Sequence, residues 1–207
     1  MSIEAPISPA RRRRSPEAAR ENILAAAESL LLEKGPQALK LADVAAAAGV
    51  VHATVLHHFG SIDDVQTALM ERMIRQLVAK ILDSTVAGDD PQRQADAGAR
   101  ALFDAFESRG AARLAAWLEL TGESRRLTVV REAVREVVAN RLARDGRVDA
   151  ETAEDFILVC VALALGVGLF GPSLAELLGR PAGRTRELAL DLIRWRMSAV
   201  TAGETGA

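Results

Sequence analysis

The stretch that decides the fold reads Leu41-Ala-Asp-Val-Ala45-Ala-Ala-Ala-Gly49-Val-Val-His52-Ala-Thr-Val55-Leu-His-His-Phe59. Counted from its first residue, a small alanine (Ala45) stands fifth, Gly49 ninth and Val55 fifteenth. A small residue lets two helices approach closely, a glycine permits the sharp turn between them, and a valine fills the angle that they make. The spacing therefore predicts a helix-turn-helix, with short helices near 41–48 and 51–58.

Helices are also predicted on both sides of this stretch. Ser15-Pro16-Glu17 combines a capping serine, a proline suited to the first turn and an early acid, so a helix begins there. It ends at Gly35-Pro36, and Ser61 caps a further helix that runs to about Asp83. Beyond it, helices are predicted near 92–108, 110–121, 126–144, 150–170 and 184–200.

The fold class that follows is all-α, because no segment alternates apolar and polar residues with a period of two. The helix near 150–170 is predicted to end before Gly171-Pro172. The predicted parts are a disordered basic arm, a three-helix DNA-binding domain, a larger helical domain and a disordered tail. Their boundaries are 1–14, 15–62, 63–200 and 201–207.

Composition limits the compartment and excludes several classes of protein. The 207 residues are 49% hydrophobic, enough to build a core, and the single cysteine cannot form an internal disulfide. The longest apolar run, Phe156 to Phe170, has 15 residues, fewer than the ~20 needed to cross a bilayer. The first twenty residues lack the apolar stretch of a signal peptide. A cytoplasmic protein without a membrane partner is expected.

The recognition helix supplies the candidate base contacts. In a helix-turn-helix the second helix enters the major groove of DNA. The side chains that it offers are those of His52, Ala53, Thr54, His57 and His58. All three histidines of the chain lie here, but separations of five and six residues do not place them on one helical face, so no metal site is expected. The alternative to DNA contact is helix packing, above all for His58.

The charge of the predicted DNA-binding domain is unusual for its function. Residues 15–62 hold three cations against five acids, a net charge of −2 equal to that of the whole chain. Phosphate contacts dominate the affinity of proteins for DNA, so cations are needed from elsewhere. The basic arm is either a solvated tail or a DNA contact, and this balance favours the second. The candidate phosphate contacts are Arg11, Arg12, Arg13, Arg14 and Lys40.

On these residues the chain resembles the TetR family of bacterial transcriptional regulators. The resemblance covers about residues 20–69 and rests on the segments Glu33-Lys34-Gly35, Asp43-Val44-Ala45, Ala48-Gly49-Val50, Thr54 and His57-His58-Phe59-Gly60-Ser61. It implies a homodimer that binds a palindromic double-stranded operator. It also implies that residues 63–200 hold the dimer interface and a pocket for a small, mainly apolar inducer that releases a repressor.

Four positions depart from the family pattern. Lys40 and Val51 stand where the family commonly has capping residues, and Leu56 and Ile62 stand where it commonly has a tyrosine and a lysine that reach phosphates. Two usual backbone anchors are therefore missing. The alternative function is a dimeric helical interaction protein that keeps the fold and has lost specific operator binding.

The larger domain offers candidate residues for the pocket and for the dimer interface. The candidate pocket walls are the aromatic side chains Phe103, Phe106, Trp117 and Phe156, which alternatively form plain core. By analogy with the family, the last two long helices pack against those of a second subunit. The candidate interface residues are Leu163, Gly166, Gly168, Leu188, Leu192 and Trp195.

Enzyme and cofactor motifs are not supported. Gly166-Val-Gly168-Leu-Phe-Gly171 has the letters of a dinucleotide-binding fingerprint, but no strand-helix-strand pattern surrounds it. Cys160 lies in an apolar helix with no histidine near it in sequence, which indicates a structural thiol. No catalytic residue and no cofactor are therefore predicted, and the chain is not expected to be an enzyme.

Overall fold

The computed structural model describes residues 15–83, 91–126, 128–144 and 149–201. Across these ranges the chain forms helices and turns and no strand, which confirms the all-α fold. The α-helices are α1 Pro16–Lys34, α2 Leu41–Ala48, α3 His52–Phe59, α4 Ile62–Asp83, α5 Pro91–Phe103, α6 Ala111–Leu120, α7 Thr128–Arg144, α8 Ala150–Leu177 and α9 Arg184–Thr201. The predicted arm, with Arg11 to Arg14, and residues 202–207 of the predicted tail lie outside the described residues.

The first helix forms where its local signals predict. The Ser15 hydroxyl accepts a hydrogen bond from the Ala18 amide at 3.2 Å, and the helix ends where the Gly35 amide donates to the Leu31 carbonyl at 3.0 Å. The stripe that it buries is Ile23, Leu24, Ala27, Leu30 and Leu31. Because this stripe packs on α2 and α3, the three helices form one compact unit.

A single apolar core joins this unit to the rest of the protein. Val44 and Val55 from the helix-turn-helix are fully buried in the same cluster as Leu69 of α4 and Leu114 of α6. The α4 helix therefore contributes to both of the predicted domains, although the sequence places a boundary at residues 62 and 63. A second cluster lies farther along the chain, where Phe103, Cys160 and Ile193 bring α5, α8 and α9 together. Cys160 is buried there, as expected for a structural thiol.

The prediction that α8 ends before Gly171-Pro172 is wrong. The helix has 28 residues and continues through Pro172 to Leu177. Gly171 is a packing residue, because a Cβ there would lie 2.6 Å from the Thr185 hydroxyl oxygen of α9. An interior proline removes one hydrogen bond and crowds the carbonyl four residues before it, and the packing of α8 on its neighbours offsets this cost.

The length of α8 also overturns the argument that no segment could cross a bilayer. Among the described residues, Ala150–Leu177 is the helix that meets the length and composition of a membrane span, with a mean hydropathy of 2.3 over an 18-residue window. One of its faces packs on the second core, and the other is exposed.

The helix predicted over 92–108 is interrupted in the structure. α5 ends at Phe103, and Asp104–Ser108 forms a turn of π-helix. The Phe106 carbonyl in this turn faces Gly168 of α8. Asp104 and Glu107 in the same turn both contact Arg186 of α9. Burial opposes ionisation of Asp104, but its bonds to Arg186 and Lys80 prevail and hold the pKa of its carboxyl below the usual value.

Candidate nucleic-acid interface

The helix-turn-helix has the geometry that its sequence predicts. Gly49 adopts φ 66°, a left-handed conformation that favours glycine, and the Val50 amide donates to the Ala45 carbonyl at 3.0 Å. Ala45 and Val55 are buried at the junction of α2 and α3. As expected, neither Lys40 nor Val51 makes a side-chain cap at the start of its helix.

The α3 helix brings the predicted base-contacting residues together. His52, Ala53 and His57 are exposed, whereas Thr54 and His58 are half-buried. The rings of His57 and His58 meet edge to face, with their centroids 5.3 Å apart. Across the described ranges, no group of three or more histidine, cysteine or acidic side chains is placed to hold a metal ion. The exposed face of α3 is thus formed by His52, Ala53 and His57.

An open apolar groove runs beside this face, between α2 and α3. Its volume is about 500 Å³, and its walls are Ala42, Ala45, Ala46, Val50, Val51, His52 and Ala53. The groove is not evident from the sequence, because its walls come from both helices. The surface around the start of α3 is consequently more apolar than its histidines suggest.

Two polar side chains of α1 hold the ends of the helix-turn-helix, and neither was predicted. The Arg20 guanidinium donates to the His58 carbonyl, and its Cζ atom lies 4.1 Å from the centre of the Phe59 ring. The Asn22 amide donates to the Ala48 carbonyl at 2.8 Å. Because the carboxyl ends of helices carry partial negative charge, these donors stabilise the ends of α3 and α2. Arg20 is therefore occupied within the protein.

An ion-pair network connects α1 to the rest of the chain. The Glu28 carboxylate binds Arg72 of α4 and also Arg109, whose Nη2 atom lies 2.5 Å from its Oε1 atom. Glu21 binds the same Arg72 at 3.1 Å. Cations from outside residues 15–62 thus neutralise two of the five acids that the sequence assigns to the DNA-binding domain. The surface of residues 15–62 is therefore less acidic than their net charge of −2 suggests.

A buried glutamine also connects α4 to the helix-turn-helix. The Gln66 side chain donates from Nε2 to the Leu39 carbonyl at 3.2 Å, and its Oε1 atom accepts from the Trp117 indole at 3.1 Å. Trp117 of α6 thus contacts α4 through this hydrogen bond. Of the other three candidate pocket residues, Phe103 is buried within the second core and Phe156 packs against it, whereas Phe106 packs against both cores.

The predicted dimer residues divide into two groups. Leu188, Leu192 and Trp195 form an exposed stripe on α9. The adjoining face of α8 is also apolar, and its exposed large side chains are Leu158, Val159, Phe170, Leu174 and Leu177. Gly166 is open to this side, since a Cβ there would meet nothing within 4 Å.

Gly168 and Leu163 point toward their own chain. A Cβ at Gly168 would lie 2.7 Å from the Ala112 Cβ and 2.8 Å from the Phe106 carbonyl oxygen. Leu163 is partly buried against the second core. Gly168 therefore serves close packing within one chain, and the contact between subunits predicted for it stays a prediction.

Comparison with known proteins identifies the N-terminal region. Residues 23–69 match the family model described as bacterial regulatory proteins, tetR family. Over these residues the chain is similar to the TetR family. A curated relative, the HTH-type transcriptional repressor Rv3405c of Mycobacterium tuberculosis, is 35% identical over 88 residues, which are 41% of this chain and 46% of that protein. The chain spans about half the length of the curated relatives that it matches.

Solved structures show the same fold over most of the chain. A transcriptional regulator from Rhodococcus sp. Rha1 has a TM-score of 0.66 and 26% identity, and the match covers 88% of this chain and 95% of that one. A TetR-family transcriptional regulator from Streptomyces coelicolor has a TM-score of 0.62 and 20% identity, over 88% of this chain and 99% of that one. The relatives named here are described as transcriptional regulators, which agrees with the prediction that this chain is not an enzyme.

Proposed function

We propose that this protein is a cytoplasmic, homodimeric repressor that binds a palindromic DNA operator and is released from it by a small apolar ligand. The observation that carries this proposal is the exposed face of α3, held on a helix-turn-helix in which side chains of α1 and α4 bind three of the four helix ends. Two such helices in a dimer would enter the major groove about 34–36 Å apart.

The side chains on this face suit direct readout of bases. The imidazole nitrogens of His52 and His57 can donate or accept hydrogen bonds at base edges, and both rings are exposed. Ala53 offers only a methyl group, which suits contact with the C5-methyl of thymine. The half-buried Thr54 is better placed for a nearby phosphate or base than for the core.

Phosphate contacts fall to very few cations. Arg20 is engaged with His58 and Phe59, which leaves the exposed Lys40 as the cation nearest to the start of α2. The usual anchors are replaced by Leu56 and Ile62, neither of which can bind a phosphate. The arm, with Arg11 to Arg14, would therefore supply most of the electrostatic attraction.

Removal of residues 1–14 is expected to weaken operator binding at least tenfold and to flatten its salt dependence. Each lost phosphate contact lowers the slope of log affinity against log salt concentration by about 1. The measurement is fluorescence anisotropy at several salt concentrations, with a duplex selected from a random library by the full chain. Arg180→Ala is the control, because it removes an exposed cation remote from the helix-turn-helix.

Three outcomes of that titration are informative. Equal affinity and slope for the truncated and full chains would show that the arm is only a solvated tail. Failure of the full chain to select any duplex would favour the alternative function, an interaction protein of the same fold. A loss confined to Arg180→Ala would place the DNA contacts elsewhere on the protein.

The exposed stripe of α9 and the apolar face of α8 support the homodimer. Large contiguous apolar surfaces are rare on monomers, and a self-complementary face suits a twofold interface. Trp195 is 68% exposed, and we expect it to contribute most to the binding energy of the interface, because aromatic residues often dominate interface energies.

Trp195→Glu is expected to convert the dimer into monomers at micromolar concentration, because two buried carboxylates would face each other across the interface. Sedimentation velocity measures the change in mass. Leu120→Glu is the matched control, since Leu120 is also an exposed apolar residue but lies on α6. A dimer that survives Trp195→Glu, or vesicle binding by the wild-type protein through α8, would contradict this assignment.

The ligand proposal rests on the family and on the aromatic residues beside the second core. Phe103, Phe106 and Phe156 lie where α5, α8 and α9 meet, so a ligand held among them would be mainly apolar. Movement of these helices would pass to α4, which contacts both cores. Release of the operator would follow from a change in the spacing of the two α3 helices.

A further inference from the structure

Three parts of the chain meet at one buried side chain. Gln66 of α4 is 5% exposed, and its amide joins the Trp117 indole of α6 to the Leu39 carbonyl just before α2. The two hydrogen bonds are 3.1 and 3.2 Å long and span sequence separations of 51 and 27 residues. These two hydrogen bonds thus connect the larger domain to the beginning of the helix-turn-helix.

The start of α2 depends on this contact more than a usual helix start would. Lys40 makes no side-chain cap, so the N-terminal turn lacks the local anchor common at such positions. Leu39 is almost fully buried, and its carbonyl needs a partner inside the protein. The Gln66 amide supplies that partner.

Trp117 determines which way the Gln66 amide points. An indole N–H can only donate, so it fixes Oε1 of Gln66 toward α6 and leaves Nε2 facing Leu39. Without this bond, the Leu39 carbonyl alone would hold the amide, and the Nε2 donor could swing away from it. The position of the amide that α2 requires is therefore supported from α6.

We propose that Trp117 and Gln66 are positioning residues for the helix-turn-helix, through which displacement of α6 loosens the entry to α2. The consequence for DNA rests on the function proposed above, whereas the effect on α2 does not. When α6 moves, the indole leaves Gln66, the amide is free to rotate, and the Leu39 carbonyl loses its donor. The segment that carries Lys40 then becomes mobile.

The test is amide hydrogen exchange of the full-length protein, measured on a peptide that covers residues 39–48. Trp117→Phe, which keeps an aromatic ring and removes the donor, is expected to speed exchange there about fivefold, the effect of losing one net hydrogen bond. Gln66→Met should do the same. Asp96→Asn is the control, because it weakens a contact with Arg194 near the second core and should leave this peptide unchanged.

A double variant separates positioning from a general loss of stability. Because Trp117 acts through Gln66, Trp117→Phe combined with Gln66→Met should exchange no faster than Gln66→Met alone. Additive effects, or equal exchange in wild type and both single variants, would overturn the proposal. The same variants should weaken operator binding about fivefold while both proteins remain folded. If wild type binds no duplex, the repressor function fails, and the exchange result still decides this inference.

Discussion

Gly168→Ala is expected to lower the free energy of unfolding by about 3 kcal/mol, a large effect for the addition of one methyl group. The new Cβ would lie 2.7 Å from the Ala112 Cβ and 2.8 Å from the Phe106 carbonyl oxygen, both closer than van der Waals contact permits. One neighbour is backbone in the π-helical turn, so relief requires α8 to move away from α6. In an unconstrained helix the same substitution would be stabilising.

The matched control is Gly98→Ala in α5. There a Cβ would meet only the Ile81 side chain, at an ordinary 3.8 Å, so the helix propensity of alanine should stabilise the protein by up to about 1 kcal/mol. Urea denaturation followed by circular dichroism, at one fixed protein concentration, measures both changes. A Gly168→Ala protein as stable as wild type would show that α8 and α6 do not pack as closely as described.

Glu28→Gln is expected to destabilise the protein by about 3 kcal/mol, because it removes the buried partner of Arg72 and leaves only the largely exposed Glu21 beside it. The Glu28 side chain is 17% exposed and binds both Arg72 and Arg109, whereas the arginine itself is 10% exposed. The Arg72 guanidinium is too buried for water to replace Glu28 fully, and Glu21 contacts only its Nη1 atom. Arg109 is more exposed, so it recovers hydration and contributes less to the loss.

Glu21→Gln provides the comparison on the same helix with the same partner. Glu21 is 64% exposed, and its loss should cost no more than about 1 kcal/mol, as is usual for surface pairs. The measurement is again urea denaturation, and replacing the Glu28–Arg72 pair by Leu and Met should restore part of the stability. Equal effects of the two single substitutions would contradict the difference in burial.

The parts of the fold that follow from neighbouring residues could be predicted from the sequence. Ser15 caps α1 three residues away, and the turn at Gly49 depends on that residue's own conformation. The sequence therefore predicts the helix-turn-helix and the face of α3. The failure at Gly171-Pro172 has the opposite cause, because Gly171 is required by Thr185 of another helix.

The contacts that tie the interface together could not be predicted, because they join residues far apart in the chain. Arg20 reaches His58 across 38 residues, and Trp117 reaches Gln66 across 51. Nothing in the periodicity of either helix marks these side chains as partners. The same limit explains Gly168, whose neighbours come from α6 and from a π-helical turn that the sequence did not indicate.

Because the helix-turn-helix shares the first core with α4 and α6, it cannot be exchanged between regulators as a separate domain. A graft cut at residue 62 would strip Val44 and Val55 of the side chains that cover them from α4 and α6. The transplanted domain would expose apolar surface that is normally buried. The recipient protein would be left with unpacked side chains where its own domain had been. A chimera that keeps α1 to α4 together, and matches the α6 surface beneath them, is the smallest modular unit that this architecture allows.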